Sequence, residues 1–184
     1  MPTEVTVACS GDATFSACGR YRYSLSRRLY EQPGGGPTVL FVMLNPSTAD
    51  ARRDDATVRR CIGFARAGGF AELAVVNLFA LCATSPAAVR QAAAASPRLA
   101  VGRGNDGHIR RAAAGAATII CAWGVHGRLL GRGQAVLDLL LQAGHRPACL
   151  GTTAGGFPRH PLYVPASAVP APFMPQDGRP AAAR

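Results

Sequence analysis

The sequence predicts an α/β fold, a three-layer sandwich whose central, mostly parallel four-stranded sheet carries an N-terminal edge hairpin. Short apolar runs alternate with segments whose apolar residues recur at helical spacing, and such alternation gives parallel strands joined by right-handed crossovers. The runs contain too few polar residues to have a solvent-exposed face, which is typical of strands in the middle of a parallel sheet. The four predicted strands cover residues 39–44, 73–81, 118–123 and 147–150.

The N-terminal segment predicts the edge hairpin. Residues 5–30 alternate loosely between apolar and polar side chains, and residues 16–19 have the composition of a turn between two strands. Tyr21, Arg22 and Tyr23 interleave aromatic and basic groups, a pattern that can stack on bases and bind phosphates. The alternative is that the aromatic rings pack on the sheet while the arginines lie in solvent.

The helices are predicted from capping residues and apolar spacing. Asp54 or Asp55 can cap the helix after the first strand, because a carboxylate there meets the positive end of the helix dipole. That helix ends at Gly68 and Gly69, where glycine favours termination. Further helices are predicted after Ser85 and Pro86, over residues 108–116 and over residues 134–143.

The length of 184 residues suits one domain, predicted over residues 1–164. Residues 165–184 are rich in Pro and Ala and are predicted to form a largely mobile tail. No stretch has the roughly 18 consecutive apolar residues of a membrane span, and the N-terminus lacks a signal-peptide pattern, so we expect a cytoplasmic protein. The six cysteines form no CxxC pair, so reduced thiols are expected and neither a metal nor a cofactor is predicted.

The charge of the chain favours a polyanionic partner. Twenty arginines, no lysine and ten acidic residues give a net charge of +10, and clustered guanidinium groups bind phosphates. We therefore expect nucleic acid, DNA rather than RNA, as the partner of a monomer that does not bind membranes. The candidate phosphate-binding residues are Arg22, Arg59 and Arg60. The alternative is a basic protein without such a partner.

Polar clusters follow the four predicted strands, and ligands bind at the carboxyl ends of strands in such sheets. The sequence therefore predicts one composite site. Asn45 could position a water molecule, Asn77 could read the edge of a base, and His160 could stabilise an anion or transfer a proton. A turn asparagine, a core asparagine and a surface histidine are the respective alternatives. The other candidate substrate-binding residues are Pro46, Ser47, Phe79, Trp123 and Arg159.

Asp50, Asp54 and Asp55 form the main acidic cluster of the sequence. One of them could serve as a base or bind a metal, and the alternative is helix capping and pairing with neighbouring arginines. The chain contains no phosphate-binding P-loop, no GxSxG motif and no HExxH motif. These absences exclude the common hydrolase and nucleoside-triphosphatase templates.

Six motifs in order carry a family resemblance: VMLNPSTAD, DDATVRRC, VVNLFAL, GRGND, AWG and FPRHPLY. Together they closely resemble the bacterial and phage family called domain of unknown function 1643, over roughly residues 20–164. The family name implies no activity.

A more distant resemblance is to the uracil-DNA glycosylase superfamily, in particular its mismatch-specific thymine/uracil branch. The shared features are an Asn-Pro, an Asn-Leu, a Trp-Gly and a His-Pro segment, each after a strand. The resemblance implies that Asn45 positions the attacking water, Asn77 recognises the base and His160 stabilises the departing base. It predicts a hydrolase that cleaves the N-glycosidic bond of a base or modified base. A non-catalytic nucleic-acid-binding module and an enzyme of free nucleosides or nucleotides are the alternatives.

Overall fold

A computed structural model of the chain describes residues 11–30 and 35–174. Its strands are β1 (Gly11–Phe15), β2 (Arg22–Arg28), β3 (Thr38–Met43), β4 (Glu72–Asn77), β5 (Thr118–Cys121), β6 (Ala148–Cys149) and β7 (Ala171–Pro172). They form one mixed seven-stranded sheet in the order β1-β2-β4-β3-β5-β6-β7. Neighbours within β4-β3-β5-β6 are parallel, whereas β1, β2 and β7 pair antiparallel.

Helices cover both faces of this sheet. Helix α1 (Ala56–Ala67) packs on one face. The opposite face carries α2 (Pro86–Ala95), α3 (Pro97–Val101), α4 (Asn105–Ala114) and α5 (Arg132–Gln142). Two 3₁₀ helices, Val125–Gly131 and Pro161–Tyr163, follow β5 and β6. None of the helices in the described ranges has the length and apolar character needed to cross a membrane.

Burial on both faces explains the apolar composition of β3. Val39, Phe41 and Met43 pack against α1 on one face, while Leu40 and Val42 belong to the cluster on the other. Side chains alternate between the two faces of a strand, so a strand between two helical layers has no position for a polar residue. The first polar side chain after it is Asn45, which lies beyond the end of the strand.

The α/β class predicted from the sequence is confirmed, but the predicted sheet was too small. The four predicted strands form its parallel centre, and the hairpin β1-β2 lies at one edge as expected. Residues 5–10 of the predicted hairpin lie outside the described residues. The prediction missed β7 and α3, and it began α4 at residue 108, whereas the helix starts at Asn105. It also extended β4 to residue 81, whereas the strand ends at Asn77.

Part of the segment predicted to be a mobile tail packs on the domain. Strand β7 pairs with β6, and the backbone N–H of Phe173 donates to the carbonyl of Pro147 at 2.9 Å. The Phe173 ring is buried and meets Trp123 edge to face, with ring centroids 6.0 Å apart. The domain therefore extends beyond residue 164, and residues 175–184 lie outside the described residues.

Replacing Phe173 by alanine is expected to lower the free energy of unfolding by about 3 kcal/mol, since it removes a buried ring and its contact with Trp123. Urea unfolding followed by tryptophan fluorescence would measure the change. Met174→Ala is the matched control, because that neighbouring side chain is exposed. Equal stability of the two variants would show that packing of the Phe173 ring adds nothing to the stability of the fold.

Candidate functional site

A cavity of about 480 Å³ opens at the carboxyl ends of the parallel strands. Asn77 at the end of β4, Asn45 just after β3 and Trp123 just after β5 line it. His160 joins them from the longer segment that follows β6. The volume lies in the range of roughly 300–1,000 Å³ that is usual for small-molecule sites. The three residues with predicted roles in base processing, Asn45, Asn77 and His160, therefore line one cavity.

The amide of Asn45 has a fixed orientation. Its Nδ2 donates to the carbonyl of Pro46 at 2.9 Å and to the carbonyl of Ala83 at 2.7 Å. Because carbonyl oxygens only accept, the amide nitrogen must face them. The Oδ1 atom then remains as an acceptor for a water molecule or a ligand donor. Pro46 is buried and does not line the cavity; its carbonyl helps to hold this loop.

Arg22 and Asn77 form a buried polar part of the cavity wall, here called the floor. Arg22 is 3% exposed and Asn77 is 1% exposed. Arg22 donates through Nη1 to the carbonyl of Ala49 at 2.8 Å and through Nη2 to Oδ1 of Asn77 at 3.4 Å. Burial lowers the pKa of the Arg22 guanidinium from its ordinary value. Arg22 was predicted to bind phosphate, and the structure places its side chain inside the domain.

The backbone after Asn77 is held by side chains that the sequence analysis did not single out. Asn105 Nδ2 donates to the carbonyls of Asn77 at 2.9 Å and Leu78 at 3.1 Å. Arg132 Nε donates to the same Leu78 carbonyl at 3.0 Å, and its guanidinium pairs with Asp106. These carbonyls lie where β4 ends, so they need partners outside the sheet ladder. The GRGND motif contains Asn105 and Asp106, so it was the sequence feature that could have indicated these contacts.

His160 precedes the second 3₁₀ helix, and its ring orientation follows from a backbone contact. Its Nδ1 accepts from the N–H of Leu162 at 3.4 Å. The neutral ring therefore carries its proton on Nε2, which can donate to a ligand. Burial lowers the pKa of His160, and the nearby Asp55 carboxylate acts in the opposite direction. The ring is thus kept as a neutral donor near pH 7.

The three acidic candidates have different positions. Asp50 is exposed and accepts from the backbone N–H groups of Arg52 and Arg53, while Asp54 pairs with the buried Arg27 at 2.8 Å. Asp55 caps α1 by accepting from Val58 N–H at 2.8 Å, and it alone of the three lines the cavity. Within the described ranges, no group of three or more His, Cys, Asp or Glu residues is placed to share a metal ion.

The arginines predicted to bind phosphate or substrate also differ in exposure and in hydrogen-bond partners. Arg59 is exposed. Arg60 donates to the carbonyls of Pro161 and Val164 and lies over the ring of Phe64. It therefore ties α1 to the 3₁₀ helix that follows His160, which is a structural use of a predicted phosphate ligand. Arg159 is exposed at the cavity and donates to the carbonyl of Thr152.

The remaining candidates divide between wall and core. Ser47 lines the cavity and is exposed, while Trp123 lines it with 3% of its surface exposed. A Cβ atom at Gly127 would lie 2.1 Å from the Trp123 ring, so this position needs glycine for the indole to fit. Phe79 is fully buried in the core on the α2 to α5 side and does not line the cavity. The structure therefore does not place Phe79 where a base in this cavity would meet it.

Arg60→Ala is expected to lower the free energy of unfolding by about 1–2 kcal/mol, since two carbonyls lose a donor and a stacked guanidinium is removed. Arg59→Ala removes the same charge from the exposed neighbour and is expected to change stability little. Urea unfolding of the two variants tests this. If Arg60 served only to bind phosphate, both variants would keep the stability of the parent protein.

His160 is expected to make stability depend on pH. Above the ordinary pKa of 6.5 the ring is neutral in both states, whereas below it the unfolded chain binds a proton more readily than the folded one. Stability is therefore lost as the pH falls through this range. Urea unfolding at about pH 8 and about pH 5.5 should show a larger loss for the parent protein than for His160→Gln. Equal losses would contradict the lowered pKa.

Comparison with known proteins gives the family. The family model described as a protein of unknown function (DUF1643) matches residues 22–162, which is more than half of the chain. No curated protein and no solved structure matches the chain. The predicted resemblance to the DUF1643 family is confirmed, whereas the resemblance to uracil-DNA glycosylases stays a prediction. The chain belongs to the DUF1643 family.

Proposed function

We propose that this protein processes a base in nucleic acid and hydrolyses the N-glycosidic bond of that base or modified base. The observation that carries the proposal is the presence of Asn45, Asn77 and His160 in the wall of one cavity. They come from three separate loops or strand ends, so their meeting is a consequence of the fold. A uracil-DNA glycosylase-like arrangement of motifs at the ends of parallel strands fits the order in which these residues occur along the chain.

The side chains match the needs of glycosidic bond hydrolysis by water. The free Oδ1 of Asn45 can orient a water molecule, and Asp55 in the same wall can take a proton from it. A carboxylate also favours the positive charge that develops on the sugar. His160 can donate from Nε2 to an oxygen of the departing base. Water would supply the hydroxyl for the sugar carbon and the proton for the base.

Size and charge favour a base that is flipped out of nucleic acid. Enzymes that act on a base in a duplex extrude it into a pocket and hold the backbone outside. The cavity volume of about 480 Å³ accommodates a base with part of its sugar. Arg159 at the cavity and Arg59 are exposed, and each donates to one carbonyl. Their remaining guanidinium donors could bind phosphates, in a chain with a net charge of +10. DNA is the proposed partner.

The test is incubation with duplex and single-stranded DNA carrying uracil, hydroxymethyluracil, hypoxanthine or bulkier modified bases, followed by detection of abasic sites. We expect base release from at least one substrate. Asn45→Ala and His160→Gln should each reduce the rate by about 100-fold, the size usual for a positioned acid–base or orienting group. His145→Gln is the matched control, because that histidine does not line this cavity.

Two other outcomes would overturn the proposal in different ways. Tight, salt-sensitive DNA binding without abasic sites from any substrate, unchanged in Asn45→Ala and His160→Gln, would indicate a non-catalytic binding module. Turnover of a free nucleoside or nucleotide that long DNA does not inhibit would indicate an enzyme of small substrates.

A further inference from the structure

The floor of the cavity contains a positive charge without a paired carboxylate. Arg22 is 3% exposed, yet its two hydrogen-bond partners, the carbonyl of Ala49 and Oδ1 of Asn77, are uncharged. Arg27, Arg28 and Arg132 each pair with a carboxylate within 4.0 Å, whereas Arg22 forms no such pair among the described residues. A buried charge is costly unless it is paired. A negative group of a ligand at the floor would lower this cost.

Two donors at the floor are also free. Arg22 Nε and Asn77 Nδ2 are buried and donate to no atom of the described residues. The orientation of the Asn77 amide is not arbitrary, because a guanidinium only donates and the oxygen must therefore face Arg22. The nitrogen is left without a partner. The floor thus holds two buried donors without partners beside the cavity, and its one side-chain acceptor already receives a hydrogen bond.

Asp55 does not compensate for the Arg22 charge by direct contact. It lines the same cavity and favours the charged form of Arg22 at longer range. Its Oδ1 accepts from the Val58 N–H at the start of α1, and its carboxylate lies more than 4.0 Å from the guanidinium, since the two form no ion pair. The floor and the acidic group are therefore separate parts of the wall.

We propose that the floor recognises a negatively charged group with acceptor oxygens, a carboxylate carried by the ring of the bound base. The identification of the ring as a base rests on the proposed function. A phosphate of the nucleic-acid backbone does not fit this place, because the backbone stays at the open side of the cavity when a base enters. Arg22 and Asn77 are then specificity-determining residues that favour an acidic modified base over an unmodified one.

The test compares binding of 5-carboxyuracil and 5-carbamoyluracil, which differ in a carboxylate and its neutral amide. Isothermal titration should show the acid binding at least about tenfold tighter, the size of one charge-assisted hydrogen bond in a buried site. Asn77→Asp places a carboxylate beside Arg22 with almost no change of shape, so the variant should stay folded and lose the preference for the acid. Gln142→Glu, an exposed amide-to-acid change, should retain it.

Equal binding of the two compounds, no binding of either, or a preference for the acid that survives in Asn77→Asp would overturn the inference. Its failure is distinguishable from failure of the proposed function. Preference for the acid without base release from any oligonucleotide would keep the floor assignment and reject hydrolysis. Base release from DNA with no preference for the acid would support hydrolysis and reject the floor assignment.

Discussion

Burial of the central strand β3 on both faces is the constraint on which the rest of this structure depends. A strand between two helical layers cannot carry polar side chains along its length, because neither face reaches water. Polar groups are therefore confined to the strand ends, and parallel neighbours place all those ends at one edge of the sheet. Asn45, Asn77 and His160 meet for this reason, although more than 80 residues separate the last two along the chain. The position of the cavity is therefore set by the strand order of the sheet as well as by the loops that line it.

A second consequence concerns the arginines. The net charge of +10 describes the whole chain, but several guanidinium groups are used inside it. Arg22, Arg60 and Arg132 each donate to backbone carbonyls in loops beyond strand ends, where no neighbouring strand supplies a donor. A planar group with five donors can satisfy several such carbonyls at once. The chain therefore has fewer arginines free for phosphate than its composition indicates.

The sequence predicted the features that depend on local residue patterns, and it did not predict contacts between residues that are distant along the chain. The apolar runs located the parallel strands, and the polar residues after them located Asn45 and Asn77. The partner of Asn77 could not be predicted, because Arg22 reaches it only through the antiparallel pairing of β2 with β4. Phe79 lies two residues beyond the end of β4, and its ring packs in the core on the α2 to α5 side instead of in the cavity wall. Strand β7 was missed because its two residues, Ala171 and Pro172, have no strand pattern.

The distribution of charge around the cavity connects the proposed reaction with the inferred ligand. Cleavage of a glycosidic bond leaves positive charge on the sugar and negative charge on the base. The wall contains the Asp55 carboxylate at the start of α1 and the Arg22 guanidinium at the floor, and no ion pair joins them. If the two were paired, each would neutralise the other and neither could respond to charge in a substrate. In the proposed reaction their separation, with neutral His160 as an additional donor, would let the protein stabilise both developing charges. Under the inferred specificity, the floor would bind the carboxylate of an acidic base, which a neutral base lacks.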